Sequence, residues 1–245
     1  QSVAAMASDQ RLGTYNPVPW ESYRFGLGWD TMAQPGLAAA GVLAWQKTGD
    51  LDGYYGANMI VLPNEKLAVV VLGASNSFSS EQAVKISERI LLRTLVAKGR
   101  IPAMPDQLST TPLPVKVVAA EDTTTYPGIY SSSNGTFRLR FNSDETITVE
   151  EYTTAWNPKF SSFKLRSDGW FAADGDPTTG LRLLTDGGRT YFAYRKPEGF
   201  GHYYLTTLFA QRLDELPAIS DEWPARSGET WLPVNTDSSI LLLSK

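Results

Sequence analysis

Apolar positions along the chain change their spacing twice, and the textures that result mark distinct regions. In the first, residues 23–30 (YRFGLGWD), 41–49, 56–62 and 67–73 are short runs rich in aromatic and β-branched residues. They read as strands of a sheet buried on at least one face. Only Pro63-Asn64-Glu65-Lys66 separates the last two, which predicts an antiparallel hairpin. The spacing then becomes helical: Ala83, Ile86, Ile90, Leu91 and Leu95 form an apolar stripe behind Ser79 and Gln82, a capping-box pair, so a helix is expected over 80–98. Gly99 and Pro102 end it. An Ala-rich piece over 2–12, stopped by Gly13, reads as the end of another helix.

From Ile101 to about Ala120 there are four prolines and no periodicity, the signature of a linker. Beyond it, short alternating segments follow at close spacing: 128–132, 136–142, 146–152, 160–167, 170–173, 180–185, 190–196 and 202–212. Hairpin signals separate them at Asn142-Ser143-Asp144, Ser167-Asp168-Gly169 and Asp186-Gly187-Gly188. Strands at this rhythm predict an antiparallel barrel, and a lipocalin-like barrel is the preferred form. A further strand is expected over 238–244. The fold class is therefore α+β, with one unit over 1–104, a linker over 105–120 and a barrel-like accessory domain over 121–245.

Composition removes whole classes of chemistry. With no cysteine there is no disulfide framework, Cys-ligated metal or cysteine nucleophile, and one histidine cannot build a His-rich zinc site. The 22 basic against 26 acidic residues give a net charge of −4 without any Lys/Arg run, so nucleic acid and anionic membrane surfaces are not expected partners. The longest apolar stretches, 67–72 and 240–243, fall far short of the ~20 residues that span a bilayer. Position 1 is Gln, and no basic segment with an apolar run opens the chain, which reads as processed or cut from something longer.

The segment 43–72, LAWQKTGDLDGYYGANMIVLPNEKLAVVVL, carries the chemistry. Lys47-Thr48-Gly49 ends one strand and two more strands follow. A lysine there supplies a fixed positive charge for a carboxylate, and the threonine hydroxyl can hydrogen-bond to the same group. Glycine lets a ligand lie against the strand as an added strand would. Tyr54 and Tyr55, with Trp29 and Trp45, are candidates to line a pocket near Lys47 or, equally, to pack in the sheet.

With Gly26-Leu27-Gly28-Trp29 before this motif, Gly53 in the turn after it, Pro63 closing a strand, Val69 to Val71 in the next and a helix from Ser80, residues 1 to about 100 resemble the penicillin-recognising serine hydrolases. These are the penicillin-binding proteins, the class C β-lactamases and the related esterases and D-aminopeptidases. The resemblance implies the C-terminal part of a β-lactamase-like α/β sandwich, and hydrolysis of an amide or ester through an acyl-enzyme. Lys47 would belong to the catalytic centre, Thr48, Gly49, Tyr54 and Tyr55 would bind substrate, and no cofactor would be needed. Relatives work mostly at the cell envelope or outside it, so a periplasmic or secreted location is expected.

The family also needs Ser-x-x-Lys and Tyr/Ser-x-Asn motifs earlier in the chain than Lys-Thr-Gly. The single Ser-x-x-Lys, Ser161 to Lys164, falls within an alternating strand pattern instead of opening a helix, and Ser132-Ser133-Asn134 reads as a turn. The chain is thus expected to be inactive alone. Its expected partners are an N-terminal polypeptide carrying the nucleophile, or a second copy that covers the exposed sheet face. His202 reads as a packed or surface strand residue, and Asp168, Asp174 and Asp176 as hairpin chemistry. A second reading makes the chain a non-catalytic ligand-binding, regulatory or oligomerisation module, and the barrel interior discriminates, a filled core favouring a structural role.

Overall fold

The hairpin expected from Pro63-Asn64-Glu65-Lys66 forms with Leu62 opposite Leu67, and the left-handed turn residue is Lys66, at φ 51°. It belongs to a three-stranded antiparallel sheet in the order β1 (Trp45–Leu51), β2 (Tyr55–Leu62), β3 (Leu67–Ala74). The computed structural model describes residues 2–10, 24–51, 55–214, 226 and 228–229. Two compact units divide the chain, Gln1–Leu213 and Asp214–Lys245, and the strand expected over 238–244 lies outside the described residues. Helix α1 (Ser2–Met6) ends well before the stop expected at Gly13, with 7–10 outside any helix and 11–13 outside the described residues.

Strand β1 starts at Trp45 and not at Gly41, because 41–44 is the exit from a helix that the sequence pattern does not announce, α2 (Pro35–Ala39). Proline suits its first turn, and the Gln34 side chain accepts from the Leu37 N–H at 2.7 Å. The strand expected over 23–30 also fails to form across its described part, 24–30. In place of a strand, Gly26 and Trp29 bond each other across a two-residue turn, where Gly28 at φ 81° supplies the left-handed residue.

Helix α3 (Ser80–Ala97) starts where the capping box places it, with the Gln82 side chain accepting from the Ser79 N–H. It covers one sheet face, where Leu91, Leu92 and Leu95 pack with Ile60, Leu62, Leu37 and Ala44. Complete burial of each such leucine contributes roughly 1.5–3 kcal/mol. The predicted stripe needs correction: Ile86 and Ile90 are 42% and 45% exposed, while Ser87 and Glu88 are buried. The buried line runs 83, 87, 91, 95 with 88 and 92. Its polar members are tolerated because Ser87 bonds the Ala83 carbonyl and Gln34 donates to Glu88.

After the 101–120 stretch and the short α4 (Asp122–Thr125), eight strands close a barrel. They are β4 (Gly128–Ser132), β5 (Gly135–Phe141), β6 (Ile147–Tyr152), β7 (Trp156–Leu165), β8 (Phe171–Ala172), β9 (Gly180–Asp186), β10 (Arg189–Glu198) and β11 (Tyr203–Arg212). Each pairs antiparallel with the next, and β11 closes on β4. The one long extension beyond expectation is in β7, which begins at Trp156. Pro158 hides that start from pattern reading, and a register shift opposite it accommodates the proline. Tyr130, Phe137, Leu139, Ile147, Val149, Leu181 and Phe192 are fully buried, and Phe192 stacks on Phe209 at 5.2 Å. The interior is a packed aromatic and aliphatic core.

The barrel docks on α2 and α3 through the β10–β11 loop. Here His202, the chain's single histidine, lies 3.5 Å from the Glu88 carboxylate with both side chains fully buried, and stacks on Phe200 at 4.1 Å. Burial pushes the Glu88 carboxyl up to about 7; bonds from Gln34 and Tyr203 oppose this, and the Glu198 charge adds to it. Burial lowers His202, against a bond to the Gly36 carbonyl. Lys196 reaches Glu198 at 2.5 Å and Glu81 of α3 at 3.8 Å, completing the joint.

This joint predicts a pH dependence with a definite sign. Folded Glu88 keeps its proton over a window from 4.5 to about 7 in which the unfolded chain loses it, so its contribution falls as pH rises through that window. His202 acts oppositely, its share being lost as pH falls below its unfolded value. Urea melts of Glu88→Gln beside the parent isolate the carboxyl. The stability difference should move in the variant's favour by on the order of 3 kcal/mol across the window and then level off. A difference independent of pH contradicts a buried neutral carboxyl.

Candidate functional site

Strand β1 pairs with β2 through Lys47 opposite Met59, Thr48 opposite Asn58 and Gly49 opposite Ala57. Side chains alternate across a strand, so Lys47 and Gly49 share a face with Trp45, Tyr55, Ala57, Met59, Val70 and Leu72. That is the face α3 does not cover. Tyr55, Val70 and Leu72 are 51%, 58% and 75% exposed on it, and an apolar depression of about 370 Å3 lies between Tyr55 and Leu72. Tyr54 and Gly53 lie outside the described residues.

The other edge of β1 meets a short segment that the sequence reading assigned to a strand. Gln46 exchanges both backbone bonds with Thr31, and the Asp30 N–H donates to the Gln46 carbonyl at 2.9 Å. Asp30 is thereby held beside the motif. Its carboxylate accepts from the Lys47 ammonium at 2.6 Å, the Thr48 N–H at 2.6 Å and the Thr48 hydroxyl at 2.5 Å. Burial opposes ionisation of Asp30, but the bonds from Lys47 and Thr48 together with the lysine charge outweigh it and hold the carboxyl below its ordinary range. Trp29 and Trp45 approach at 5.7 Å just behind this point.

The motif thus brings three donors onto one carboxylate at a strand edge. Lys47 and Thr48 converge as their residue types suggest, and Gly49 leaves the strand surface clear beside them. Tyr55 shares the Lys47 face. Asp30 is the residue that sequence reasoning missed, because a lone acid after Gly-Leu-Gly-Trp carries no signal until the turn folds it against Lys47. A cavity of about 250 Å3 adjoins Thr48, bordered by Gln46 and Ser80 and by Lys196, Glu198 and Tyr203 of the barrel. A groove of about 580 Å3 lies elsewhere, between Ser131 to Asn134 and Arg189 at one end of the barrel.

Other sequence candidates sit away from this edge. Ser161 and Lys164 lie on β7, where Lys164 pairs with Asp174 at 2.6 Å and Ser162 takes φ 58° at a strand irregularity. Ser132 to Asn134 form the β4–β5 turn. Asp168 and Asp174 are paired with Arg195 and Arg166, and Asp176 accepts from Thr178 and Thr179.

Residues 1–94 match the Beta-lactamase family model, which supports the resemblance to serine hydrolases of the β-lactamase and penicillin-binding-protein type. No curated protein matches the chain. Among solved structures, the crystal structure of SurE with D-Leu and that of SurE are each 16% identical over 86% of this chain, with TM-scores of 0.46 and 0.45. The chain covers 43% and 42% of those two chains, less than half their length.

The two glycines near the motif predict opposite outcomes. A Cβ on Gly49 would meet only the Ala57 Cβ, at 3.8 Å, an ordinary contact. A Cβ on Gly56 would fall 2.2 Å from the Ser79 carbonyl carbon, in the backbone that starts α3. Gly56→Ala should therefore lose about 1–3 kcal/mol or more in chemical denaturation. Gly49→Ala should stay within about 1 kcal/mol of the parent, so any loss of ligand binding in it reports the strand surface and not the fold.

Proposed function

We propose that this chain supplies the substrate-binding strand of a serine hydrolase of the β-lactamase and penicillin-binding-protein type, cleaving an amide or ester through an acyl-enzyme. The observation that carries the reading is the convergence of the Lys47 ammonium and the Thr48 N–H and hydroxyl on one carboxylate at the edge of β1. A strand edge with a fixed cation and a glycine can hold the far end of an extended substrate by main-chain and charge-assisted bonds. Peptides with D-residues or small esters suit such an edge.

On this reading the attacking serine and its lysine come from polypeptide other than residues 1–245, seated on the open sheet face that carries Lys47. Among the described residues, the one Ser-x-x-Lys lies on a barrel strand with its lysine paired to Asp174. The serine attacks the carbonyl as a neighbouring lysine accepts its proton, the C–N or C–O bond breaks and the amine or alcohol leaves with that proton, and water then hydrolyses the acyl-enzyme to the free acid and restores the serine. Lys47, Thr48, Gly49, Tyr55 and Tyr54 hold the substrate, and no cofactor takes part. The barrel, lipocalin-like in this reading, is an accessory domain over 121–245 beyond the 105–120 linker. Its packed interior favours a structural role for it over the alternative of a ligand-carrying module. A periplasmic or secreted location suits the family.

Two outcomes test the reading. A protein in which this chain follows a Ser-x-x-Lys segment should label with a fluorescent penicillin or a fluorophosphonate, whereas the 245-residue chain should not. Absence of label on the longer protein contradicts the assignment. The chain alone should also hide its open face, which carries Tyr55, Val70 and Leu72, by self-association, or bind a hydrophobic dye. Light scattering that shows a monomer without dye binding contradicts the need for a cover.

A further inference from the structure

We propose that Asp30 occupies the carboxylate cradle of the Lys-Thr-Gly strand and so restricts the site to substrates that are uncharged at the end facing β1, such as esters or amides without a free carboxylate there. The inference rests on the proposed function in treating β1 as the substrate strand. Three observations lead to it. First, all three donors that the motif offers at this edge, the Lys47 ammonium and the N–H and hydroxyl of Thr48, go to Asp30 at 2.5–2.6 Å. Second, Asp30 is not free to swing away. Its own N–H is tied to the Gln46 carbonyl, the next residue, Thr31, exchanges two bonds with Gln46, and the turn from Gly26 to Trp29 precedes it. Third, its side chain is 27% exposed against 48% for Lys47, so the carboxylate lies on the strand side of the lysine and leaves part of the ammonium open.

The charges then decide specificity. Lys47 with an empty cradle would present a net positive charge to ligands, but Lys47 with Asp30 presents none. An incoming carboxylate would have to displace a fixed carboxylate or sit beside it, and like charges in contact repel. A neutral carbonyl meets no such repulsion and can accept from the remaining ammonium hydrogens, since lysine has three donors. Asp30 is therefore a specificity-determining residue: it selects through the charge it places in the cradle.

Acetate is the probe, and backbone and lysine NMR of the 245-residue chain is the readout. In the parent, the Thr48 amide proton should lie far downfield, as expected for a short bond to a carboxylate, and acetate should not move it. In Asp30→Ala it should shift upfield and return saturably as acetate is added, with affinity at least about tenfold above the parent's, which corresponds to 1.4 kcal/mol. Asp30→Asn keeps the side-chain shape and removes the charge, so it should also gain acetate binding and serves if the alanine variant folds poorly. Acetate binding to the parent as tight as to the variants overturns the proposal, as does acetate binding to neither variant. The assay does not involve the nucleophile. Saturable acetate binding to Asp30→Ala together with failure of serine labelling in the longer protein would leave the cradle standing and remove the hydrolase reading. Successful labelling together with acetate binding to the parent would remove the Asp30 proposal alone.

Discussion

The outer edge of β1 is the constraint from which the geometry of the site follows. A strand has two hydrogen-bonding edges, and β2 takes only one of those of β1. The outward groups of Gln46 are taken by Thr31 and the outward N–H of Thr48 by Asp30. This register fixes everything nearby. Lys47 and Gly49 must face the open side of the sheet, Gln46 and Thr48 must face the α3 side, and the Lys47 and Thr48 side chains can meet only around the edge. They do so on the Asp30 carboxylate. An uncovered edge would also be a template for pairing with other chains, and the 24–31 turn blunts it with a charged residue.

Covering the other sheet face takes two quite different devices. Helix α3 supplies leucines, and its N-terminus is tied to the end of β1 by bonds from Ser80 to Asp50. The barrel supplies a polar plug: the His202, Glu88 and Gln34 cluster replaces apolar contact where the β10–β11 loop meets the helix. A buried carboxyl and imidazole cost desolvation, and they are tolerated here because burial favours the neutral form of each and Gln34 and Tyr203 bond the carboxyl. Bonds from the Leu108 N–H to the Gly201 carbonyl and from the Gln107 side chain to the Phe200 carbonyl hold that loop in place. Through Lys196, Glu198 and Tyr203 the same strands border the cavity beside Thr48, so the accessory domain contributes to the surroundings of the motif.

Much of this was legible in the sequence because it is written in local periodicity. The barrel strands, the β2–β3 hairpin and the α3 start at Ser79–Gln82 follow from alternation, turn residues and a capping box, all of which act within a few positions. What was not legible depends on distant partners. Ser87 and Glu88 occupy buried positions of α3 because Ala83 and Gln34 satisfy them, and Ile86 and Ile90 are left outside. The 23–30 segment reads as a strand by composition, yet Gly28 turns it. Helix α2 is too short to show a period, and Pro158 conceals the start of β7. At the candidate site, Lys47, Thr48 and Gly49 could be read from motif and setting. Asp30 could not, since only the folded turn brings it to the lysine.

The most direct test of the account is a structure of the nucleophile-bearing protein acylated by a slowly released penicillin or ester. The account predicts the acyl group lying beside the end of β1 past the Asp30–Thr31 segment, with its distal polar atoms within hydrogen-bond distance of the Lys47 ammonium or the Thr48 hydroxyl, and the acylated serine on the open face of the sheet. An acylated serine whose adduct makes no contact with β1, leaving Lys47 to serve only Asp30, would contradict it.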